Sequence, residues 1–359
     1  MKRILILLVS TILLFSFFTV FSKPNPNSTS TFNKLQSAAH IGQDPGASAE
    51  LVKLRLDSLA SRSGMMDMPY NSTVQSYIDQ YLKNGRRQLT ELLVRCAYYM
   101  PIFEKALQEA GLPDELKYVA VIESSLKLKA TSPRGASGFW QFMPATAKGY
   151  DMKITSAIDE RWDPYLSSER ACRLLKKQYE RFGDWALALA AYNAGQGTVQ
   201  KAIRRAGLDK SSATFQAIAQ YLPAETRKYV PKFIAMNYIM KYYTRHNISE
   251  VPVGSVVETD TIHISEKMNL SQIAGVLEVP TSQLRDLNPH FRTDMIPATA
   301  ERPCNLILPV EHIETFKESR SEILSFRKSQ SVASDEEEWD ETPVTKKVTQ
   351  RRTHSKKKR

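Results

Sequence analysis

The stretch Pro113-Asp114-Glu115-Leu116-Lys117-Tyr118-Val119-Ala120-Val121-Ile122-Glu123-Ser124-Ser125-Leu126 reads as a helix that carries a carboxylate on its apolar side. Proline at a helix start gives up a donor that has no partner there anyway, and two acids suit the positive end of the helix dipole. Leu116, Val119 and Ala120 mark a buried stripe; Glu123 lies seven, four and three residues beyond them, and Leu126 continues the stripe three residues later. An unpaired carboxylate on that face costs free energy, and a raised pKa is the usual response. A carboxyl still protonated near neutral pH can give its proton to a leaving oxygen. The alternative is a partly buried Glu paired with an Arg or capping a neighbouring helix. Periodicity alone does not choose between them.

Two flanking segments bear on that choice. Ser132-Pro133-Arg134-Gly135-Ala136-Ser137-Gly138-Phe139-Trp140-Gln141-Phe142-Met143-Pro144 combines glycines, which allow tight turns and close approach of a ligand, with aromatic faces and an amide. Sugars need such surfaces, since their C–H faces pack on aromatic rings and their hydroxyls take hydrogen bonds. The same aromatics also suit a core loop. Asp184-Trp185-Ala186-Leu187-Ala188-Leu189-Ala190-Ala191-Tyr192-Asn193-Ala194-Gly195 is apolar all round, which predicts a central buried helix capped by Gly195. Tyr192 and Asn193 put a hydroxyl and an amide at its end.

Working outward, residues 1–22 read as a signal peptide. Lys2 and Arg3 precede an apolar run from Ile4 to Phe21, with Val20 and Ser22 placed for a cut before Lys23. A transmembrane anchor is the alternative, because the run is just long enough to span a bilayer. Either way the chain is expected to be exported to the periplasm or cell envelope, membrane-associated if the segment is kept. Residues 23–50, rich in Ser, Asn, Pro and Gly, read as a linker. Helical spacing fills 51–100, with one helix expected over about 88–99, and the breaks stay short from 101 to 246, beginning with a helix over about 101–110. From 252 to 312 the pattern becomes βααβ. Strand-like Val251–Ile264 is followed by helical Leu270–Leu277 and Thr281–Leu287, then a strand at Asn305–Pro309. Residues 313–359, acidic around Asp335–Glu341 and basic at the end, read as a disordered charged tail. The fold class is therefore mainly α with a small α+β unit at the C-terminus.

The formal net charge of +11 favours a polyanionic partner. The excess is concentrated in Lys346, Lys347, Arg351, Arg352, Lys356, Lys357, Lys358 and Arg359. An anionic wall polymer or lipid surface fits this tail. Nucleic acid does not, since an export signal precedes the chain and no stacking motif accompanies the lysines. Cys96, Cys172 and Cys304 are odd in number and far apart, so no disulfide framework is expected. The scattered histidines have no metal-ligand spacing, and neither metal nor cofactor is expected.

Ile122-Glu123-Ser124-Ser125, Gly138-Phe139-Trp140-Gln141-Phe142-Met143 and Ala191-Tyr192-Asn193 resemble, in order and spacing, the three motifs of family-1 lytic transglycosylases, whose domain is lysozyme-like and all-helical. Asp159-Glu160-Arg161-Trp162-Asp163-Pro164 and Leu222-Pro223-Ala224-Glu225-Thr226-Arg227-Lys228-Tyr229-Val230-Pro231 further resemble the membrane-bound lytic murein transglycosylase D branch. The resemblance implies that 101–246 is a catalytic domain acting on peptidoglycan glycan strands, that Glu123 is its catalytic residue, and that Ser124, Gln141, Phe142, Met143, Tyr192 and Asn193 line the glycan groove. Tyr192 is then expected to hold Glu123 or the substrate's N-acetyl group. Asp159, Glu160 and Asp163 read as helix-start and loop acids, or as a second catalytic carboxyl. Leu270-Ser271-Gln272-Ile273-Ala274 and Leu284-Arg285-Asp286-Leu287-Asn288-Pro289 make 252–312 similar to a LysM module, which binds N-acetylglucosamine-containing glycans, although the usual Gly-Asp-Thr entry is absent. A small packing domain is the other reading. The chain is expected to be a monomer. A hydrolytic muramidase on the same fold and a non-catalytic wall-binding protein are the rival functions.

Overall fold

The structure, a computed structural model, describes residues 48–249 and 257–326. The signal segment 1–22, nearly all of the linker, the first part of the Val251–Ile264 strand and the charged terminus beyond 326 lie outside the described residues.

Helix α1 (Ala49–Ser63) starts on the Ser48 side chain and stops on Gly64 in the left-handed region. Helix α2 (Ser72–Asp79) starts on Asn71 and runs into a wide π turn. Then comes α3, a 25-residue helix (Arg86–Ala110) with Pro101 inside it. The two helices expected either side of Pro101 are therefore one. A proline removes a single ladder bond and disfavours helix at the preceding residue. Against that, Leu89, Leu92, Leu93, Cys96, Met100, Phe103 and Leu107 form one uninterrupted buried stripe through the position. Packing of that stripe outweighs the local penalty.

After a single 3-10 turn (Asp114–Lys117), α4 (Tyr118–Ser124) buries Val119, Ala120, Val121 and Ile122. Helix α5 (Pro144–Gly149) opens on a proline. Helix α6 (Pro164–Phe182) is capped by Asp163, whose carboxylate accepts from the Tyr165 and Leu166 amides. The apolar helix α7 (Trp185–Ala194) is buried from Trp185 to Ala191 and lies against α6 and against α10 (Ala224–Tyr242), with α8 (Gln196–Arg205) and α9 (Phe215–Ile218) beside it. These helices share one core, in which Trp140, Tyr238, Phe103, Phe139 and Phe233 are the largest fully buried side chains.

A second core belongs to the C-terminal unit. Strand β1 (Thr259–Ile264) pairs antiparallel with β4 (Cys304–Pro309), Ile264 opposite Cys304. Between them lie β2 (Met268–Asn269), α11 (Leu270–Val276), α12 (Thr281–Leu287) and β3 (Met295–Ile296), with β2 paired to β3. This is the expected βααβ order with one extra short ladder. The reading of 313–359 as a disordered tail needs correction for its first part. Helices α13 (Ile313–Glu318) and α14 (Arg320–Ser325) continue the fold, and Phe316 and Ile323 are fully buried in the second core. Their apolar spacing is obscured in the sequence by exposed Glu311, Glu314, Lys317, Glu318 and Glu322 and by half-buried Arg320, which pairs with Glu266.

Candidate active site

Glu123 occupies the last turn of α4 and is partly exposed at the wall of a cleft of about 430 Å³. The helix ends one residue later, at Ser125 in the left-handed region (φ 52°). The Tyr229 hydroxyl, from α10, donates to the Glu123 Oε1 at 2.6 Å. Lys232, one turn further along α10, donates to the Ile122 carbonyl at 2.7 Å. Burial pushes the Glu123 carboxyl up to about 7 from an ordinary 4.5; the Tyr229 hydrogen bond and the Lys232 charge act against that rise, and the charge of Glu225 adds to it. Burial likewise lowers Lys232 and raises Tyr229 well above its ordinary value. Among the described residues, no arginine pairs with this carboxyl and it caps no helix.

The glycine-aromatic segment forms the opposite wall. Thr131 and Phe142 each make a bridge to Ser137, folding the loop back on itself. Gly138 has φ +85°, and a Cβ there would lie 2.0 Å from the Arg161 carbonyl oxygen, so only glycine lets the two backbones meet. Gln141, also at positive φ, donates from its amide to the carbonyls of Ala130 and Gly138 at 3.0 and 2.8 Å. Gln141 and Met143 line the cleft, and Met143 is 41% exposed. Phe142 and Trp140 also border it but are almost wholly buried, and Phe139 belongs to the core against Tyr99 and Phe103. The segment therefore behaves largely as the core loop its composition also allowed, with one amide and one thioether presented to the cleft.

Tyr192 and Asn193 reach the cleft from the end of α7. The expectation that Tyr192 holds Glu123 is corrected by its geometry. Its hydroxyl donates to the Trp140 carbonyl at 2.7 Å and so ties α7 to the loop. Asn193 accepts from the Thr226 hydroxyl at 2.9 Å. Ser124 faces the interior, its hydroxyl donating to the Ala120 carbonyl, and is not among the cleft-lining residues. Asp159, Glu160 and Asp163 are buried away from the cleft. Asp159 pairs with Arg161, Glu160 accepts from the Lys153 amide, and Asp163 caps α6.

The residues that sequence reasoning passed over lie on α10. Glu225, Thr226, Tyr229 and Lys232 recur at helical spacing and bring a second carboxylate, a hydroxyl and a cation to the side of Glu123. Leu222–Pro231 contains three of these residues, but Arg227 and Lys228 between them make the segment polar on several sides, so its pattern does not single them out.

A partly exposed carboxyl with a raised pKa thus stands in the wall of a cleft bounded by a Gly-aromatic loop and the end of an apolar helix. Residues 100–215 match the Transglycosylase SLT domain family, and residues 258–325 match the LysM-like domain of lytic transglycosylase MltD. The chain thus has two domains, each similar to a domain found in lytic transglycosylases. It is 29% identical over 255 residues to the membrane-bound lytic murein transglycosylase D of Escherichia coli K12, covering 71% of this chain and 55% of that protein. It is 30% identical over 154 residues to the soluble lytic murein transglycosylase of the same strain, covering 40% of this chain and 23% of that one. The chain thus spans about half the length of the first of these relatives. Against the crystal structure of the 70 kDa soluble lytic transglycosylase of Escherichia coli the TM-score is 0.36, at 22% identity, covering 57% of this chain and 33% of that one.

Proposed function

We propose that this protein cleaves the β-1,4 bond between N-acetylmuramic acid and N-acetylglucosamine in peptidoglycan, leaving 1,6-anhydromuramoyl ends, with Glu123 acting twice. The observation that carries the reading is a cleft carboxyl held near pKa 7, protonated for a useful fraction of molecules at neutral pH. Glu123 gives its proton to the glycosidic oxygen as the C1–O bond breaks, and the N-acetylglucosamine side leaves as an alcohol. The substrate's own N-acetyl carbonyl stabilises the developing oxocarbenium ion. The Glu123 carboxylate then removes the proton from the muramoyl C6 hydroxyl, whose oxygen bonds to C1. The proton is back on Glu123 and no water has entered. Tyr229 keeps the carboxyl oriented through both steps, while Gln141, Met143 and Asn193 contact the sugars.

Glu225 favours a second reading. It lines the same cleft as an exposed carboxylate, and two carboxyls are what a water-using glycosidase needs. Mass spectrometry of muropeptide products separates the two. Anhydro ends are expected, and reducing ends would establish hydrolysis. Glu123→Gln should lower turnover by at least about a thousandfold, the loss of an acid that serves two steps; peptidoglycan cleared at the wild-type rate would overturn the assignment.

The LysM-like unit is proposed to hold glycan strands, and the protein to work as an exported monomer in the envelope. The basic end beyond 326 is proposed to meet anionic wall or lipid. Deleting it should weaken co-sedimentation with cell walls at low salt and make no difference at about 1 M salt, where charge attraction is screened. A salt-independent loss would rule out the electrostatic account.

A further inference from the structure

The C-terminal unit is hydrogen-bonded into the segment that precedes α6. The Asp159 amide donates to the His290 carbonyl and the Arg292 amide to the Ala157 carbonyl, each at 2.9 Å. Ile158 between them bridges to Phe291 and buries its side chain in the second core. The Asp159 carboxylate, wholly buried, therefore sits on the seam. Beside the Arg161 amide, it accepts from the Arg161 side chain, Nε at 2.9 Å and Nη2 at 2.8 Å, and from Arg292 Nη2 at 2.9 Å.

Both arginines lead to the cleft. The free end of Arg161 donates to the Gly135 carbonyl at 2.7 Å and the Phe142 carbonyl at 3.1 Å, gripping both limbs of the loop that walls the cleft. The Arg292 guanidinium also lies 4.6 Å from the centre of the Trp162 ring. The Trp162 indole in turn donates to the Ser137 hydroxyl at 2.8 Å, inside the same loop. Gly135, Gly138 and Gln141 all have positive φ. Positive φ is unstrained for the glycines, but Gln141, at φ 50°, keeps that conformation only where its surroundings hold it.

We propose that Arg292, supplied by the C-terminal unit, is a positioning residue for the cleft. Through Asp159–Arg161 and through Trp162 it fixes the loop that carries Gln141 and Met143. The C-terminal unit then braces the wall of the cleft from behind, in addition to the glycan-holding role proposed above. The catalytic consequence rests on the glycan-cleaving function proposed above; the loop-ordering consequence does not.

The two consequences are tested separately in the full chain. Exposed Arg134 precedes Gly135, so trypsin cleavage after Arg134 reports release of the loop. Arg292→Ala should raise that cleavage rate about tenfold, as a locally opened segment becomes accessible. It should also lower kcat on short soluble glycan strands by about tenfold or more, with KM changed less than about threefold, because misplaced groups cost turnover. Arg292→Lys keeps a cation near Asp159 and Trp162 and should recover much of both losses. Arg285→Ala removes a surface pair with Asp294 in the same unit and should change neither.

Wild-type trypsin and kcat values in a cooperatively folded Arg292→Ala would overturn the proposal, as would equal effects from Arg285→Ala. Should Arg292→Ala fail to fold, Trp162→Phe takes its place. It leaves a smaller aromatic ring near Arg292 and removes the indole bond to Ser137, and should shift the same two readouts in the same direction; unchanged readouts there would also overturn the proposal. Faster trypsin cleavage in variants of a protein whose wild type cuts no glycan would leave the positioning role intact and remove the proposed function instead.

Discussion

Glu123 is pulled in opposite directions by its neighbours. Burial and the Glu225 charge raise its pKa, while Tyr229 and Lys232 restrain the rise at about 7. Tyr229→Phe removes a bond that favours the charged carboxylate. The pKa should then rise, and the alkaline limb of the kcat–pH profile should move to higher pH. A limb that stays in place, or moves to lower pH, would show that Tyr229 does not set the proton affinity. The same shift has a cost in stability. The folded-state pKa is above the ordinary 4.5, so the stability that the protonated group contributes is complete below about 4.5 and is lost as pH rises through about 7. Gln at this position does not titrate and can still accept from Tyr229. Glu123→Gln should therefore be more stable than the wild type at about pH 8, by up to about 3 kcal/mol, and gain much less at about pH 4. Melting curves at the two pH values check this, and a gain independent of pH would contradict it.

At the scale of elements, the cleft is made by three segments that meet only through tertiary packing. The loop depends on Gly138, where a methyl group would strike the Arg161 carbonyl and the backbone stands at φ +85°. Gly138→Ala should cost more than about 2 kcal/mol, from strain together with the lost approach. It should lower activity in the molecules that remain folded; a wild-type melting temperature would refute the close-packing account. How much of this was legible beforehand differs by segment. The Glu123 helix face and the buried α7 could be read from spacing, because burial was written into their apolar residues. The Phe139–Trp140 pair was ambiguous, since an aromatic looks the same in sequence whether it faces a sugar or Phe103. Tyr192 lines the cleft, but its hydroxyl bonds the Trp140 carbonyl and not Glu123, and spacing does not reveal a bond to a carbonyl 52 residues away. Helix α10 carried the missing partners, and Tyr229 lies 106 residues from the carboxyl it serves. No local pattern encodes that pairing.

For the molecule as a whole, two hydrophobic cores meet along one seam. The extent of the second core was the part least visible in sequence, since charged residues surround Phe316 and Ile323 and imitate a solvated tail. Phe316 is fully buried there, and Phe316→Ala should cost about 3–5 kcal/mol. The C-terminal unit should then melt earlier or be digested first, which limited proteolysis would detect. Unchanged protection would mean that α13 is dispensable. The helical closure of that unit also bears on its portability. The Phe326 ring lies where a Cβ on Gly275 would be, 2.6 Å away, so the last described residue seals the face of α11. On the opposite side, Arg292 and His290 are committed to the Asp159 seam. With both sides engaged, this unit cannot be transplanted as an interchangeable bead. A chimera cut at 312 would sever a core, and one joined at 257 would leave Asp159 without its second arginine. Recombination that shuffles the two domains independently should therefore be selected against, and the pair should be inherited together.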